Sequence, residues 1–208
     1  MLSLQSANSF WMQEWVKAAT LAERALAVAV TRPGFMRATS MRARALARLG
    51  DKEGLRLAIE ESESSSIEGH ADEERGMILF SEANHLRCIG TAYLWAGEHL
   101  RAREQLKNAL AQYLADTPDN FAVIATIRAD IAAAYLLQKD VGGAADAVAP
   151  LLELKPERRV EGALRRMREL KKNLDTSEFA HSASAIDLSV RISSFLENRS
   201  PMPDLTEK

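Results

Sequence analysis

Between Leu86 and Leu114 the chain places Gly90, Tyr93, Gly97, Ala102, Leu106 and Ala109 in an order that recurs 42 positions later as Ala132, Tyr135, Lys139, Ala144, Val148 and Leu151. No other feature restricts the fold as strongly. Small residues at matching positions on either side of a turn let two helices approach closely, and the larger residues fill the space between them. A unit of that size cannot bury its apolar face alone, so repeated units must stack on one another. A weaker copy lies 47 positions upstream at Ala43, Leu46, Gly50, Leu55 and Ile59, where Leu55 occupies a small-residue position and Leu46 the tyrosine position.

The six positions in the clearest unit match the tetratricopeptide (TPR) signature, and Pro156 extends the second copy. Spacings of 42 and 47 exceed the standard repeat of about 34 residues, so the array is expected to be TPR-like, with longer helices or connections. Period-two runs of β-branched residues are absent, and Ala, Leu, Arg and Glu dominate the long segments, which predicts an all-α fold. Breaks fall at Arg32-Pro33-Gly34, Leu49-Gly50-Asp51, Ala96-Gly97-Glu98, Thr117-Pro118-Asp119, Lys139-Asp140 and Lys155-Pro156. They divide the chain into predicted helices at about 9–31, 35–49, 51–64, 77–96, 98–115, 119–138, 140–154, 157–174 and 177–198. The expectation is a TPR-like α-α superhelix of about four antiparallel hairpins, forming one array over residues 1–198. The polar stretch SESSSIEGHADEERG is expected to be its longest loop, and residues 199–208 a disordered tail.

A net charge of −2 supplies no overall field toward nucleic acid or an anionic membrane. No run approaches the roughly 20 apolar residues of a spanning helix. The single cysteine, Cys88, has no disulfide partner within the chain, and MLSLQSANSF lacks the basic and apolar regions of an export signal. A cytoplasmic protein with no membrane contact is expected.

From Arg42 to about Leu174 the chain resembles the C-terminal TPR-like domain of actinobacterial transcriptional regulators with a Cro/C1-type helix-turn-helix. The residues carrying this are RARALARLGDKEGLRLAIEESES, FSEANHLRCIGTAYLWAGEHLRAREQLKNAL, ADIAAAYLLQKDVGGAADAVAPLLEL and ERRVEGALRRMRELKKNL. The resemblance implies a helical array that senses a ligand or partner and often mediates homodimerisation. Met1 to Arg32, with LAERALAVAV as the second helix of a repeat, reads as part of a hairpin and departs from that family's DNA-binding domain. Direct nucleic-acid binding by this chain is not expected.

In such arrays the first helix of each pair lines the concave surface. The candidate ligand-binding residues are Arg37, Arg44, Arg48, Asn84, Arg87 and Trp95. Arg37, Arg44 and Arg48 share one helix face, and a guanidinium grips a carboxylate with two parallel hydrogen bonds, so an acidic peptide or protein is the expected partner. Taken singly, each of these arginines fits a solvated helix face as well, and Trp95 fits a core position. Trp11 and Trp15 are expected to cover the end of the array or to form a dimer contact.

Glu82, His85 and Cys88 fall three residues apart, but three ligands without a second cluster do not make a structural zinc site, and no metal is expected. The basic stretch around Arg158, Arg165, Arg168 and Lys172 is interleaved with Glu157, Glu161 and Glu169, which favours a solvated face over phosphate binding. Phosphate loops, nucleophile elbows and dinucleotide fingerprints are missing, so neither a cofactor nor catalysis is expected. A passive scaffold is the alternative to a sensor; a small-molecule carrier or enzyme on the same array is a more distant one.

Overall fold

A computed structural model describes residues 1–64, 80–176 and 178–197. Among the described residues there is no strand, and the elements are ten α-helices with one short 3-10 turn. The chain divides into two compact units, Met1–Asp116 and Thr117–Lys208.

The first unit contains α1 (Leu2–Trp11), α2 (Trp15–Leu26), α3 (Arg32–Leu49), α4 (Lys52–Ser64), α5 (Glu82–Ala96) and α6 (His99–Asp116). Local chemistry sets most of these ends. Thr31, Ser81 and Asp51 accept hydrogen bonds from the amides of Gly34, Asn84 and Gly54, which satisfies donors the first helical turn leaves open. Gly50 and Gly97 adopt left-handed backbone angles, φ 75° and 82°, and close α3 and α5. After each glycine the following amide donates back to the carbonyl of Leu46 or Tyr93, so a tight reversal leads into the next helix.

The reading of one helix over 9–31 is corrected. A break at Met12, Gln13 and Glu14 separates α1 from α2, with Gln13 at φ 62° and the Glu14 amide donating to the Ser9 carbonyl. Neither Gly nor Pro marks this turn; the buried packing of the hairpin imposes it. Ser6, fully buried, donates its hydroxyl to the Ala18 carbonyl at 2.7 Å, and Ala18 and Ala22 are fully buried. Trp11 and Trp15 therefore flank a turn rather than share a helix.

The second unit contains α7 (Phe121–Leu136), α8 (Val141–Leu152), the 3-10 turn Pro156–Arg158, α9 (Glu161–Leu174) and α10 (Ala183–Glu197). Its core is continuous from Ala125, Ala132 and Val148 through Met167 and Leu170 to Leu188, Ile192 and Phe195. Lys139 takes the left-handed position held by glycine in the other copies, φ 60°, and the same pair of backbone hydrogen bonds forms around it. The predicted helices at 157–174 and 177–198 begin later, at Glu161 and Ala183, after the 3-10 turn and a run of turns. Most of the expected long loop and the whole expected tail fall outside the described residues.

The signature positions are buried as the spacing requires. Ala102, Leu106, Ala109, Ala132, Ala144, Val148 and Ala43 are fully buried, with Leu151 and Leu55 nearly so. At Gly90 a methyl group would lie 2.7 Å from Leu106 Cγ, so this glycine sets the separation of α5 and α6.

Candidate functional site

Helices α3 and α5 run side by side in the same direction. Ser40 and the Met36 carbonyl meet His85 near the start of α5, and Arg48 meets Trp95 near its end. Helix α1 lies on the other side of α3, and its Phe10 reaches over α3 to stack on Trp95, ring centres 5.7 Å apart and planes 18° from parallel. Three helices thus share one face, and the six candidate residues divide between its two ends.

At the C-terminal end an aromatic cluster forms around two guanidinium groups. Phe10 packs on Trp15 at 4.9 Å and edge-on to Trp11 at 5.8 Å. Arg44 lies 4.3 Å from the Phe10 ring centre and 5.5 Å from those of both Trp11 and Trp95. Arg48 lies 5.2 Å from the Trp15 ring and 5.0 Å from the Trp95 ring. A cation over an indole face is attracted by the ring's negative quadrupole, most strongly where water is excluded. The two arginines differ in access: Arg44 is 6% exposed, whereas Arg48 is open to solvent. Trp11 is 59% exposed, while Trp15 and Trp95 are partly buried against Phe10, Ala18 and Ala45. The chain's three tryptophans all belong to this cluster.

At the other end Arg37 lies 5.5 Å from the Phe80 ring centre. Arg87 donates from Nε and Nη2 to Asn84 Oδ1, at 3.1 and 2.6 Å, and its Nη2 lies 3.6 Å from Cys88 Sγ. Both donors converge on one amide oxygen, so the guanidinium edge expected to meet an external carboxylate is turned toward a neighbouring side chain. Burial raises the Tyr113 hydroxyl above its ordinary range, with the Arg87 charge opposing the shift.

His85 joins three helices. Its Nδ1 is 2.8 Å from Ser40 Oγ and 3.3 Å from the Met36 carbonyl, and its Nε2 is 3.3 Å from Ser62 Oγ. Burial lowers its pKa and so favours the neutral ring, against weaker opposing effects from the Met36 carbonyl and Glu82. Cys88 is fully buried beside Met36, Met41 and Phe80. Among the described residues no group of three or more His, Cys, Asp or Glu is placed to hold a metal ion, and no helix is long and apolar enough to cross a membrane.

In the second unit Asp130 is buried and paired with Arg166 of α9, which also donates to the Gly162 carbonyl. Other cations of the basic stretch also have partners within the unit. Arg168 pairs with Glu161 and Lys171 with Asp175. Arg159 donates to the carbonyls of Leu154 and Phe195 and lies over the Phe195 ring.

No protein-family model matches the chain, and no curated protein matches it. Solved structures do: a Podospora anserina protein described as kinesin light chain-like, with nearly identical TPR-like repeats, is 15% identical over 96% of both chains with a TM-score of 0.58. A single-substitution variant of that protein is 17% identical over 93% of this chain and 92% of its own, with a TM-score of 0.59. The fold is TPR-like. In TPR-like terms α1, α3 and α5 are the first helices of three consecutive pairs, so the aromatic cluster lies where the first-helix layer presents its C-terminal ends. Sequence reasoning placed Arg44, Arg48 and Trp95 on that layer but missed Phe10, Trp11 and Trp15 as their partners. Only the break at Gln13, which carries no glycine, brings those rings across α3.

Proposed function

We propose that the chain is a non-catalytic interaction module that takes an acidic peptide or protein segment along the α1–α3–α5 face. The observation that carries this reading is the convergence of Arg44, Arg48 and Trp95 with Phe10, Trp11 and Trp15, leaving one cation and one indole open to solvent. Aromatic residues and arginine are the side chains that dominate binding energy at protein interfaces. Arg37, Asn84 and Arg87 extend the same layer and add positive charge toward its other end. The resemblance to regulator effector domains supports reading this module as the sensor part of a transcriptional-regulation system. In that role, partner binding is read out as a change in helix packing or in homodimer contacts.

Selection of randomised twelve-residue peptides, displayed internally so that no terminal carboxylate is offered, tests the reading. Selected sequences should be enriched in Asp and Glu. A pool with the acidic content of the starting library would refute it. Small-angle scattering with and without a selected peptide separates a sensor, whose radius or oligomeric state changes, from a scaffold, whose shape does not.

A further inference from the structure

We infer that Arg48, held between Trp15 and Trp95, is the carboxylate anchor of this face, and that the partner segment carries an Asp or Glu directly beside a large apolar side chain that lies on Trp11. This rests on the reading of the face as a site for acidic partners and specifies which atoms do the recognising.

The two arginines of the cluster have different work to do. Arg44 is covered by Phe10, Trp11 and Trp95 and is 6% exposed, so a ligand cannot reach most of its donors. It is a positioning residue: its charge holds the three rings around it and adds positive potential beneath the surface. Arg48 is exposed, and among the described residues its charge lies against two indole rings, those of Trp15 and Trp95. Among the described residues no carboxylate pairs with it, in contrast to Arg42, which pairs with Glu23 and Glu61, and Arg56, which pairs with Glu53 and Glu60.

A guanidinium between two rings keeps its ring-facing surfaces occupied and its in-plane N–H groups available at the edge, where a carboxylate can take two of them. Contact with two rings also restricts the side chain before the ligand arrives, which removes part of the ordering cost that an exposed arginine normally incurs on binding.

The apolar half of the recognition lies alongside. Trp11 touches Arg44, which touches Trp95, which touches Arg48, so the exposed indole and the exposed cation belong to one continuous cluster. Met12 and Val16, which follow Trp11 and Trp15 in the chain, are also exposed, by 74% and 68%. From Met1 to Gln13 the sequence has no charged side chain, so nothing on α1 competes for Arg48 or repels an acidic segment. One accessible cation and one exposed indole in the same cluster, joined through Arg44 and Trp95, fit one carboxylate and one apolar side chain, not a run of acids.

The test repeats the internal-display selection on Arg48→Glu, on Trp11→Ser, and on the Arg37→Glu/Arg87→Glu pair, each first shown by circular dichroism to keep the wild-type helix content. Wild type should select an Asp or Glu next to Leu, Ile, Met, Phe or Trp. Arg48→Glu should lose the acidic preference and Trp11→Ser the apolar one. An amidated peptide from the wild-type pool should bind Arg48→Gln at least about tenfold more weakly, and its binding to wild type should change the emission of the three clustered tryptophans. An acidic preference that survives Arg48→Glu and disappears in the Arg37/Arg87 variant would overturn this anchor while leaving the acidic-partner reading in place. Acidic residues selected without an adjacent apolar one would overturn the paired motif. No acidic preference in wild type would overturn both the anchor and the reading beneath it.

Discussion

Replacing Gly90 by alanine should destabilise the first unit, although it places the better helix former in the middle of α5. An interior Gly→Ala change gains about 0.8–1 kcal/mol from propensity alone. Against that gain, the new methyl would lie 2.7 Å from Leu106 Cγ, 3.0 Å from Leu106 Cδ2 and 3.1 Å from the Leu106 backbone nitrogen. Apolar carbons settle at about 3.5–4 Å. Leu106 is fully buried and cannot swing into solvent, and its backbone nitrogen moves only with α6. Overpacking of this kind costs about 1–3 kcal/mol, and with backbone among the obstructing atoms the upper part of that range applies. The net expectation is a loss of about 1–2 kcal/mol in urea denaturation.

The second unit indicates the rescue. At the matching positions it carries Ala132 and Val148, both fully buried, so a methyl added to the first helix is balanced by one removed from the second. Leu106→Val alone should cost roughly 0.5–1.5 kcal/mol, and Gly90→Ala with Leu106→Val should be more stable than the sum of the single changes by about 1 kcal/mol or more. Gly142→Ala is the control, because its methyl would meet nothing closer than Asp140 Oδ1 at 3.6 Å, and it should be neutral or stabilising. A Gly90→Ala variant as stable as wild type, or a double variant that is simply additive, would falsify the account of how α5 and α6 are spaced.

Lys139→Gly should raise the melting temperature by about 2–4 °C, since it removes a side chain from a left-handed backbone position at the loss of only an exposed ion pair to Glu178. Lys139→Ala, which loses the pair and keeps the strain, should not stabilise in the same thermal scan. Asp130→Ala should cost about 3 kcal/mol in chemical denaturation by leaving Arg166 largely buried without its carboxylate, and Arg166→Met in the same background should restore much of the loss. Acidification should weaken the first unit through His85. Its folded pKa is lowered, so the unfolded chain binds the proton more readily, and stability falls as pH drops through the unfolded value of about 6.5 and levels off below the folded one. The slope contributed by one such group is at most about 1.4 kcal/mol per pH unit. His85→Gln should flatten this part of the pH–stability curve, and an unchanged curve would remove His85 from the account.

What the sequence made legible was the part of the structure encoded by local rules. Gly50 and Gly97 mark helix ends because only a left-handed residue closes them without strain, and Ala102, Leu106 and Ala109 mark a buried face by their period. The break at Gln13 was illegible: a glutamine in a left-handed turn is held there by tertiary burial of Ser6 and Ala18, and nothing in the local sequence announces it. Missing that turn merged two helices, and with them went the contacts of Phe10 and Trp15. Lys139 was readable only because two other copies supplied the glycine for comparison. On the proposed ligand face, spacing put Arg44 and Arg48 on one side of α3 but could not distinguish the covered one from the open one, since that depends on rings from α1 and α5. The Arg87–Asn84 pair was readable as proximity on one helix, though not as a hydrogen bond already formed.

In the proposed mode of binding, recognition and stability are linked at α1. Phe10 is at once the platform beneath Arg44 and a core residue packed with Ala18 and Ala45, and Trp11 touches the same cation from the exposed side. Truncating Phe10 to alanine removes an aromatic core side chain, a change that typically costs about 3–5 kcal/mol, and it also frees Trp95 from its stacked position. Arg48 would then lose one of its two confining rings without being altered itself. A Phe10→Leu variant should retain much of the apolar volume, and hence most of the helix content, while losing the ordered position of Trp95. Its affinity for a selected acidic peptide should fall even though neither Arg48 nor Trp11 has changed. Unchanged affinity in a folded Phe10→Leu variant would mean that Trp15 alone holds Arg48 in place, and that the stack across α3 serves packing only.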